Sequence, residues 1–501
     1  MKAIAFNNRY IKLGKDFSVE TRPESVKNPE LIIFNQHLST ELGLDDTWLD
    51  ASEHCIEATA VFAGNLVPDG SEPVSMAYAG HQFGHFNPQL GDGRALLLGE
   101  LDAPNGRFFD LQLKGSGHTC FSRGGDGRAA LGPVLREYLL SEAMEKLGVP
   151  TTRALAAVTT GEEVARQRLL PGGVITRIAT SFVRVGTFQF FSARDNVDAI
   201  KKLADFVIDR NYAAAKVEDN PYITLLRLIV ERQAILIAKW MQIGFIHGVM
   251  NTDNMSIAGE TIDYGPCAFM DYYDHDQVYS SIDRNGRYAY SNQPSIGLWN
   301  LTRLAETLLP LLADDNDAAV EVAQDILKSY VEVYEQSWLE GMREKLGFST
   351  QNESDKAFIE ELLNIMATNN VDFTLTFYYL SQINTDSKDE NSLEQEKALF
   401  GLFSNDEQFN HWFLAWCERL SSESVSDIER QKKMQAINPT YIPRNHQIEA
   451  AIRAAEDSHD FTVFKNLHEV LQDPYVRQSG KDVYMRPPQP EEVVEQTFCG
   501  T

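Results

Sequence analysis

One stretch constrains this chain more than any other. Phe245–Gly265 follows a long apolar run and carries Asp253, Asn254 and Asp263, then a glycine. Asn254 and Asp263 are nine residues apart, and can meet if Met255–Ile257 and Thr261–Ile262 pair as a short hairpin around Gly259. Paired so, a carboxamide and a carboxylate present hard oxygen ligands to a divalent ion. That is the chemistry Mg²⁺ needs when it holds nucleotide phosphates.

The same stretch looks like the catalytic loop and Asp-Phe-Gly region of a kinase fold, with Tyr264 in place of phenylalanine. One slot departs from that pattern: counting on from His247, the position of the usual kinase base holds Val249. A chain of 501 residues suits two or three domains or one two-lobed enzyme. A formal charge of −27 argues against nucleic acid or an anionic membrane as the main partner, because phosphate binding needs a basic face. Any phosphate site must then be a local gathering of Lys and Arg. Cys55, Cys120, Cys267, Cys417 and Cys499 show no paired metal spacing. An odd cysteine count, with no signal-length apolar core at the amino terminus, points to the reducing cytoplasm. The run Leu225–Ile243 is interrupted by Arg227, Glu231, Arg232 and Lys239, so it reads as a buried helix and not a membrane span.

Taken in order, Pro29–Gly43 reads as a short helix ending at glycine. His81 and His85 suggest a metal pair, but Gly80 and Gly84 disfavour a helix there and a structural turn is the better reading. Ala95–Leu101 and Arg107–Lys114 flank a Pro-Asn-Gly turn and predict a β-hairpin. Phe109, Leu111 and Leu113 take one face; Asp110, Gln112 and Lys114 take the other, opposite the core. Gly91-Asp-Gly-Arg94 precedes the hairpin and could approach phosphates closely. Gly115–Arg128 is denser still in glycine; with Arg123, Asp126 and Arg128 it suits a phosphate or ribose clamp, or equally a surface loop. Pro133–Gly148 predicts a helix, and its Glu137 could reach back to Lys114. Arg153–Thr160, Gly173–Ala179 and Ser181–Phe191 read as strands, the first two separated by a Gly161-Glu-Glu turn and a basic stretch. Arg177 and Arg184 in such apolar runs need a triphosphate or a protein carboxylate.

From about residue 195 the pattern is helical: Val197–Ile208, Pro221–Ile243, Ser295–Leu312, Ala318–Leu346 and Lys356–Met366, with Asp386–Glu396 as a loop or solvated face. Asn438–His446 is extended by its prolines. Cys499, near the carboxyl end, could swing to Cys267 just after Gly265, although solitary thiols are commoner. The layout predicted is an α+β, two-lobed protein-kinase-like fold. Residues 1–60 form an N-terminal extension, 61–194 a β-rich N-lobe, 195–400 a helical C-lobe with the catalytic and metal-binding loops, and 401–501 a helical extension and tail.

The ordered set Gly91-Asp-Gly-Arg94, Leu113-Lys-Gly-Ser-Gly117, Arg136-Glu137, His247-Gly-Val-Met-Asn-Thr-Asp-Asn254, Asp263-Tyr-Gly-Pro-Cys267 and a terminal Cys499-Gly closely resembles the selenoprotein-O family, also called YdiU, along nearly the whole chain. That resemblance implies a pseudokinase-like enzyme that transfers AMP from ATP to Ser, Thr or Tyr hydroxyls of proteins, with the nucleotide reversed relative to ordinary kinases. It implies Mg²⁺ or Mn²⁺ as cofactor, and UTP with Mn²⁺ as a second donor. It assigns nucleotide binding to Gly91, Gly93, Arg94, Lys114, Asp126, Gly127, Arg177, Arg184 and Asp263, with Glu137 positioning Lys114. It assigns the metal to Asn254 and Asp263, the base to Asp253, and a redox disulfide to Cys267 and Cys499. Expected partners are protein substrates, with no nucleic acid and no membrane, and the chain is expected to act as a monomer. The competing readings are a γ-phosphoryl-transferring kinase and an inactive nucleotide-binding scaffold.

Overall fold

The computed structural model describes residues 4–44, 53–385, 390–404 and 406–498. Its first half is built on one antiparallel sheet. The strands are β1 (Ser18–Glu20), β2 (Leu31–Phe34), β3 (Val74–Met76), β6 (Ala95–Asp102), β7 (Phe108–Lys114), β9 (Arg153–Ala165) and β10 (Leu169–Ala179), in the order β1-β3-β6-β7-β10-β9-β2, with β8 (Ala129–Ala130) pairing β10. A separate hairpin joins β4 (Gly80–Gln82) to β5 (His85–Asn87). Its turn residues Phe83 and Gly84 both have positive φ (50° and 86°), as a two-residue hairpin turn of this hand requires. Helices α1 (Gln36–Glu41) and α2 (Glu53–Ala63) lie on one side of the sheet, and α3 (Leu131–Lys146) packs on β9 and β10.

The second half is helical: α4 (Val185–Ser192), α5 (Val197–Asn211), α6 (Pro221–Gln242), α7 (Gln293–Leu312), α8 (Asn316–Leu346), α9 (Asp355–Asn369) and α10 (Phe373–Gln382). After these come α11 (Glu390–Leu402), α12 (Glu407–Ser421), α13 (Asp427–Gln435), α14 (Asn445–Ser458) and α15 (Thr462–Val470). A two-residue ribbon of β11 (Phe245–Ile246) and β12 (Ala268–Phe269) brackets the polar stretch. This is the two-lobed, kinase-like α+β arrangement expected. Helix α6 starts with Asn220 capping its first turn and Pro221 in the first helical position, which lacks no needed N–H there. It ends at Gly244, whose φ of +70° reverses the chain into β11. Its apolar faces pack on α7 and α8, so the polar stretch leaves from a rigid base. Helix α14 returns to the sheet side and packs on α3, where Glu456 accepts from Gly132 N at 3.1 Å. Among the described residues, no helix is long and apolar enough to cross a membrane.

Several local expectations are corrected. Leu31–Phe34 is a strand, not the start of a helix: the β-branched pair Ile32-Ile33 joins the sheet edge beside β9, and the helix begins only after Asn35, which caps Leu38 N. Gly161-Glu-Glu163 lies inside β9, and the chain turns instead at 166–168, where Arg166 N bonds Arg168 O. Val185–Ser192 is a helix, not a strand. Thr187 Oγ accepts from Arg184 N, and Thr187 N donates to Arg184 O, which closes the first turn. Asp110, Gln112 and Lys114 face away from the apolar cluster of Phe109, Leu111 and Leu113 as read, yet they too are covered, because ion pairs from other elements close over them. Residues 386–389 lie outside the described set, while 390–396 open helix α11.

Candidate active site

The polar stretch does not fold on itself. The two arms around Gly259 were expected to pair with each other; each pairs outward instead. Met255 O accepts from Val185 N and Ile257 N donates to Val183 O, while Thr261 bonds Pro150 O and Thr152 N. The outer segments complete the backbone bonds that a hairpin would have supplied, so Asp253 and Asp263 are fixed by both lobes. His247 is buried, with a ring nitrogen 2.9 Å from Ile262 O, and ties the two ends of the stretch together.

Between the lobes lies a cleft of about 830 Å³. Gly91, Gly93, Arg94, Lys114, Asp126, Gly127, Arg177, Arg184, Asp253, Asn254 and Asp263 all line it. Its deep end is an ion-pair cluster. Lys114 Nζ is 2.6 Å from Glu137 Oε2 and 3.4 Å from Asp263 Oδ1. Arg177 Nη1 is 3.0 Å from Glu137 Oε1 and 2.7 Å from Asp263 Oδ1. Arg184 pairs with the other oxygen of Asp263, donates to Asp253 O, and lies 4.8 Å from the Tyr78 ring. The reach of Glu137 back to Lys114 is therefore observed. The protein-carboxylate partners weighed for Arg177 and Arg184 are present: Glu137 and Asp263 for the first, Asp263 for the second. Burial alone would raise the Asp263 carboxyl, but Arg184, Lys114 and Arg177 hold it well below the usual carboxylate range. Glu137 follows the same pattern: burial opposes, and Lys114 and Arg177 win.

Asp253 has the opposite environment. It sits in the single turn Thr252–Asn254, only 6% exposed. Gln82 Nε2 donates to its Oδ2 at 3.0 Å, and its Oδ1 is buried with no hydrogen-bond partner among the described residues. Burial pushes its carboxyl up to about 6, against the Gln82 bond and Arg184. The β4 backbone comes so close that a Cβ on Gly80 would stand 2.5 Å from Asp253 Oδ1. Thr252 clamps the turn, accepting from His81 N at 2.7 Å and donating to Gln189 Oε1 at 2.6 Å. Asn254 Nδ2 donates to Val249 O at 3.1 Å, which leaves its Oδ1 as the atom for a ligand. Val249 itself is buried and brings no proton acceptor.

At the cleft mouth the glycine-dense loop is held closed by a Ser116–Arg128 bridge and by Gly117 N donating to Gly127 O at 3.1 Å. Gly127, at φ +67°, admits no side chain, since a Cβ would fall 2.0 Å from Gly117 O. Asp126 is paired on both oxygens with Arg166, at 2.8 and 3.1 Å, and this holds its carboxyl below the ordinary value. Cys267 lies just past the cleft, fully buried, with Arg136 donating to its carbonyl. Thr497 docks beside it: its hydroxyl donates to Pro266 O, and its backbone bonds Tyr279 O and Ser281 N at 2.8 and 3.1 Å. Cys499 lies outside the described residues. The His81–His85 pair sits in the β4–β5 hairpin, the turn reading, with His81 bonded to Gln189.

Sequence reasoning missed Gln82, Asp92, Gln112 and Tyr78. Gln112 accepts from Arg177 Nε at 3.2 Å and donates to buried Asp92 at 3.2 Å, so it sets the guanidinium's plane. Its signal was available, because it shares a strand face with Lys114 two residues on. No local pattern announces Gln82, which meets Asp253 across 171 residues of sequence.

The chain matches the family described as "Protein adenylyltransferase SelO" over residues 1–472. It is 53% identical over 499 residues to "Protein nucleotidyltransferase YdiU" of Rhizobium leguminosarum bv. trifolii (strain WSM2304), covering 100% of this chain and 98% of that one. It is 52% identical over 501 residues to the protein of the same description from Rhizobium meliloti (strain 1021), covering 100% of both. A third, from Rhodopseudomonas palustris (strain BisB18), is 53% identical over 496 residues, covering 99% of each. The chain belongs to the protein adenylyltransferase SelO family.

Proposed function

From that membership we propose that the chain transfers AMP from ATP to Ser, Thr or Tyr hydroxyls of other proteins and releases pyrophosphate. One observation carries the reading: three cations, the partly buried Lys114 and the buried Arg177 and Arg184, converge on Asp263 beside Asp253, whose environment favours proton uptake near neutrality. Cations at the closed end suit the β- and γ-phosphates, so the base faces the mouth and the α-phosphorus faces Asp253. Charge-assisted contacts of this kind are worth about 1.5–3 kcal/mol each. The acceptor hydroxyl gives its proton to Asp253 as its oxygen bonds the α-phosphorus, and the bond to the pyrophosphate oxygen breaks. Glu137 keeps Lys114 and Arg177 in place, and Gln112 orients Arg177.

The donor set fits a hard divalent ion. Asn254 and Asp263 bring oxygens to the cleft wall, and beside them Asp253 Oδ1 is buried with no hydrogen-bond partner among the described residues. Asn254 and Asp263 would hold Mg²⁺ or Mn²⁺, which when bound supplies charge neutralisation on the phosphates. None of the residues given the phosphates reads a base, which agrees with UTP as a second donor with Mn²⁺. We place the activity in the cytoplasm, with the tail as its regulator: a Cys267–Cys499 disulfide would fasten the segment that Thr497 already docks.

ATP labelled at the α- or the γ-phosphate tests the reading. Protein should retain label from the α-position alone. Retention from γ alone would replace it with a kinase, although Val249 supplies no base in the kinase position. Retention from neither would leave the inactive scaffold.

A further inference from the structure

Beside Asp253 the cleft mouth carries a second cluster that the transfer chemistry does not use. Phe83 and Ile282 line the cleft with Asp253, and Ile282 is 57% exposed. The loop after Ile282 is fixed tightly: the Asp283 carboxylate accepts from Arg287 N at 3.0 Å and Tyr288 N at 2.7 Å. Tyr288 donates to Asn251 Oδ1 at 2.6 Å, the same oxygen that accepts from Phe83 N at 3.0 Å. The loop is thus bonded to the residue two before Asp253. The guanidinium of Arg287 lies 4.8 Å from the Trp299 ring centre and borders the Gly84 turn. Its Nε is buried without a hydrogen-bond partner among the described residues. Nearby Arg303 is paired with Glu306 at 2.7 Å, whereas no carboxylate stands within ion-pair distance of Arg287 among the described residues. In a chain of formal charge −27, this guanidinium, set against the Trp299 ring beside the Gly84 turn, is a local positive charge next to the cleft-lining Phe83.

We propose that this patch docks the acceptor protein: Arg287 takes an Asp or Glu carboxylate that flanks the acceptor hydroxyl, while Phe83, Ile282 and Trp299 take the apolar side of the same segment. The inference rests on the transferase reading and names its substrate class, hydroxyls in acidic segments. Arg287 borders Gly84, two residues on from Gln82, which bonds Asp253; an extended segment advances about 3.3–3.6 Å per residue, so a carboxylate a few positions from a hydroxyl at Asp253 suits that separation. The acidic surface elsewhere repels such a segment, which leaves the local cation to set its register.

The test uses the full chain, ATP labelled at the α-phosphate, and synthetic peptides with one acceptor hydroxyl flanked by Asp, Asn or Lys. The wild type should favour the Asp-flanked peptide over the Asn-flanked one by about tenfold in kcat/KM, the effect of one charge-assisted contact. Arg287→Lys should keep that order. Arg287→Glu should turn it towards the Lys-flanked peptide and leave the Asn-flanked rate little changed. Equal rates on Asp- and Asn-flanked peptides, or an acidic preference that survives Arg287→Glu, would overturn the docking site and leave the transferase reading intact. Failure of the wild type to label any peptide or protein from the α-position would overturn the transferase reading itself.

Discussion

Asp253→Asn should make the protein more stable and nearly inactive at once. In the folded chain the Asp253 carboxyl is pushed from 3.8 up to about 6, chiefly by burial, while the Gln82 bond and Arg184 recover part of the cost of ionisation. The folded form therefore holds its proton to higher pH than the unfolded form. Ionisation of Asp253 destabilises the fold progressively as pH rises from 3.8 to about 6, and the penalty is complete above that. Two pH units correspond to roughly 3 kcal/mol. A buried asparagine still needs an acceptor for its amide, so a net gain of about 1–3 kcal/mol is expected at neutral pH. The gain should fade as pH falls towards 3.8, where the wild-type carboxyl is also neutral. Loss of the base should lower α-phosphate transfer by about 10²–10⁴-fold. Unfolding midpoints across pH and initial transfer rates measure the two effects. An Asn variant that is less stable at neutral pH, or as active as the wild type, would refute the assignment of a strained proton acceptor at this position.

Gln82→Leu removes the one side-chain donor to Asp253 among the described residues. The rising limb of the wild-type rate profile, centred near pH 6, should then move up by about one pH unit, while nucleotide affinity by calorimetry stays the same. Glu137→Ala leaves Asp263 as the one carboxylate paired with Lys114 and Arg177 among the described residues, and should cost about 3–5 kcal/mol at neutral pH. The folded Glu137 carboxyl lies below 4.5, so its stabilisation is present above 4.5 and lost as pH falls through the folded value; the gap in midpoints between wild type and variant should close on acidification. Oxidised protein should give a Cys267–Cys499 crosslinked peptide on digestion, absent after reduction; only unlinked peptides would exclude the tail tether.

Much of this architecture is legible where one physical signal dominates. The alternation in Arg107–Lys114 predicts the strand although both its faces are covered, and the proline and glycine around α3 predict the helix although 13 of its 16 residues are buried, because alternation and end signals do not depend on an exposed side. Helix α4 reads as a strand in sequence because Phe188, Phe190 and Phe191 favour strands and six of its eight residues are buried, so no polar stripe marks the helical period. An element covered on nearly every side shows no helical stripe, and tertiary packing then decides. The polar residues of the site were visible as a cluster of types. Their mutual geometry was not, because the arms of Phe245–Gly265 bond to segments near residues 150 and 185 and not to each other.

The most direct test is a structure of the chain with a non-hydrolysable ATP analogue and Mg²⁺ or Mn²⁺. The β- and γ-phosphates should lie on Lys114, Arg177 and Arg184, with the α-phosphorus facing Asp253 and the ion held by Asn254 and Asp263. A nucleotide whose γ-phosphate faces Asp253, or whose phosphates lie away from these cations, would contradict the account.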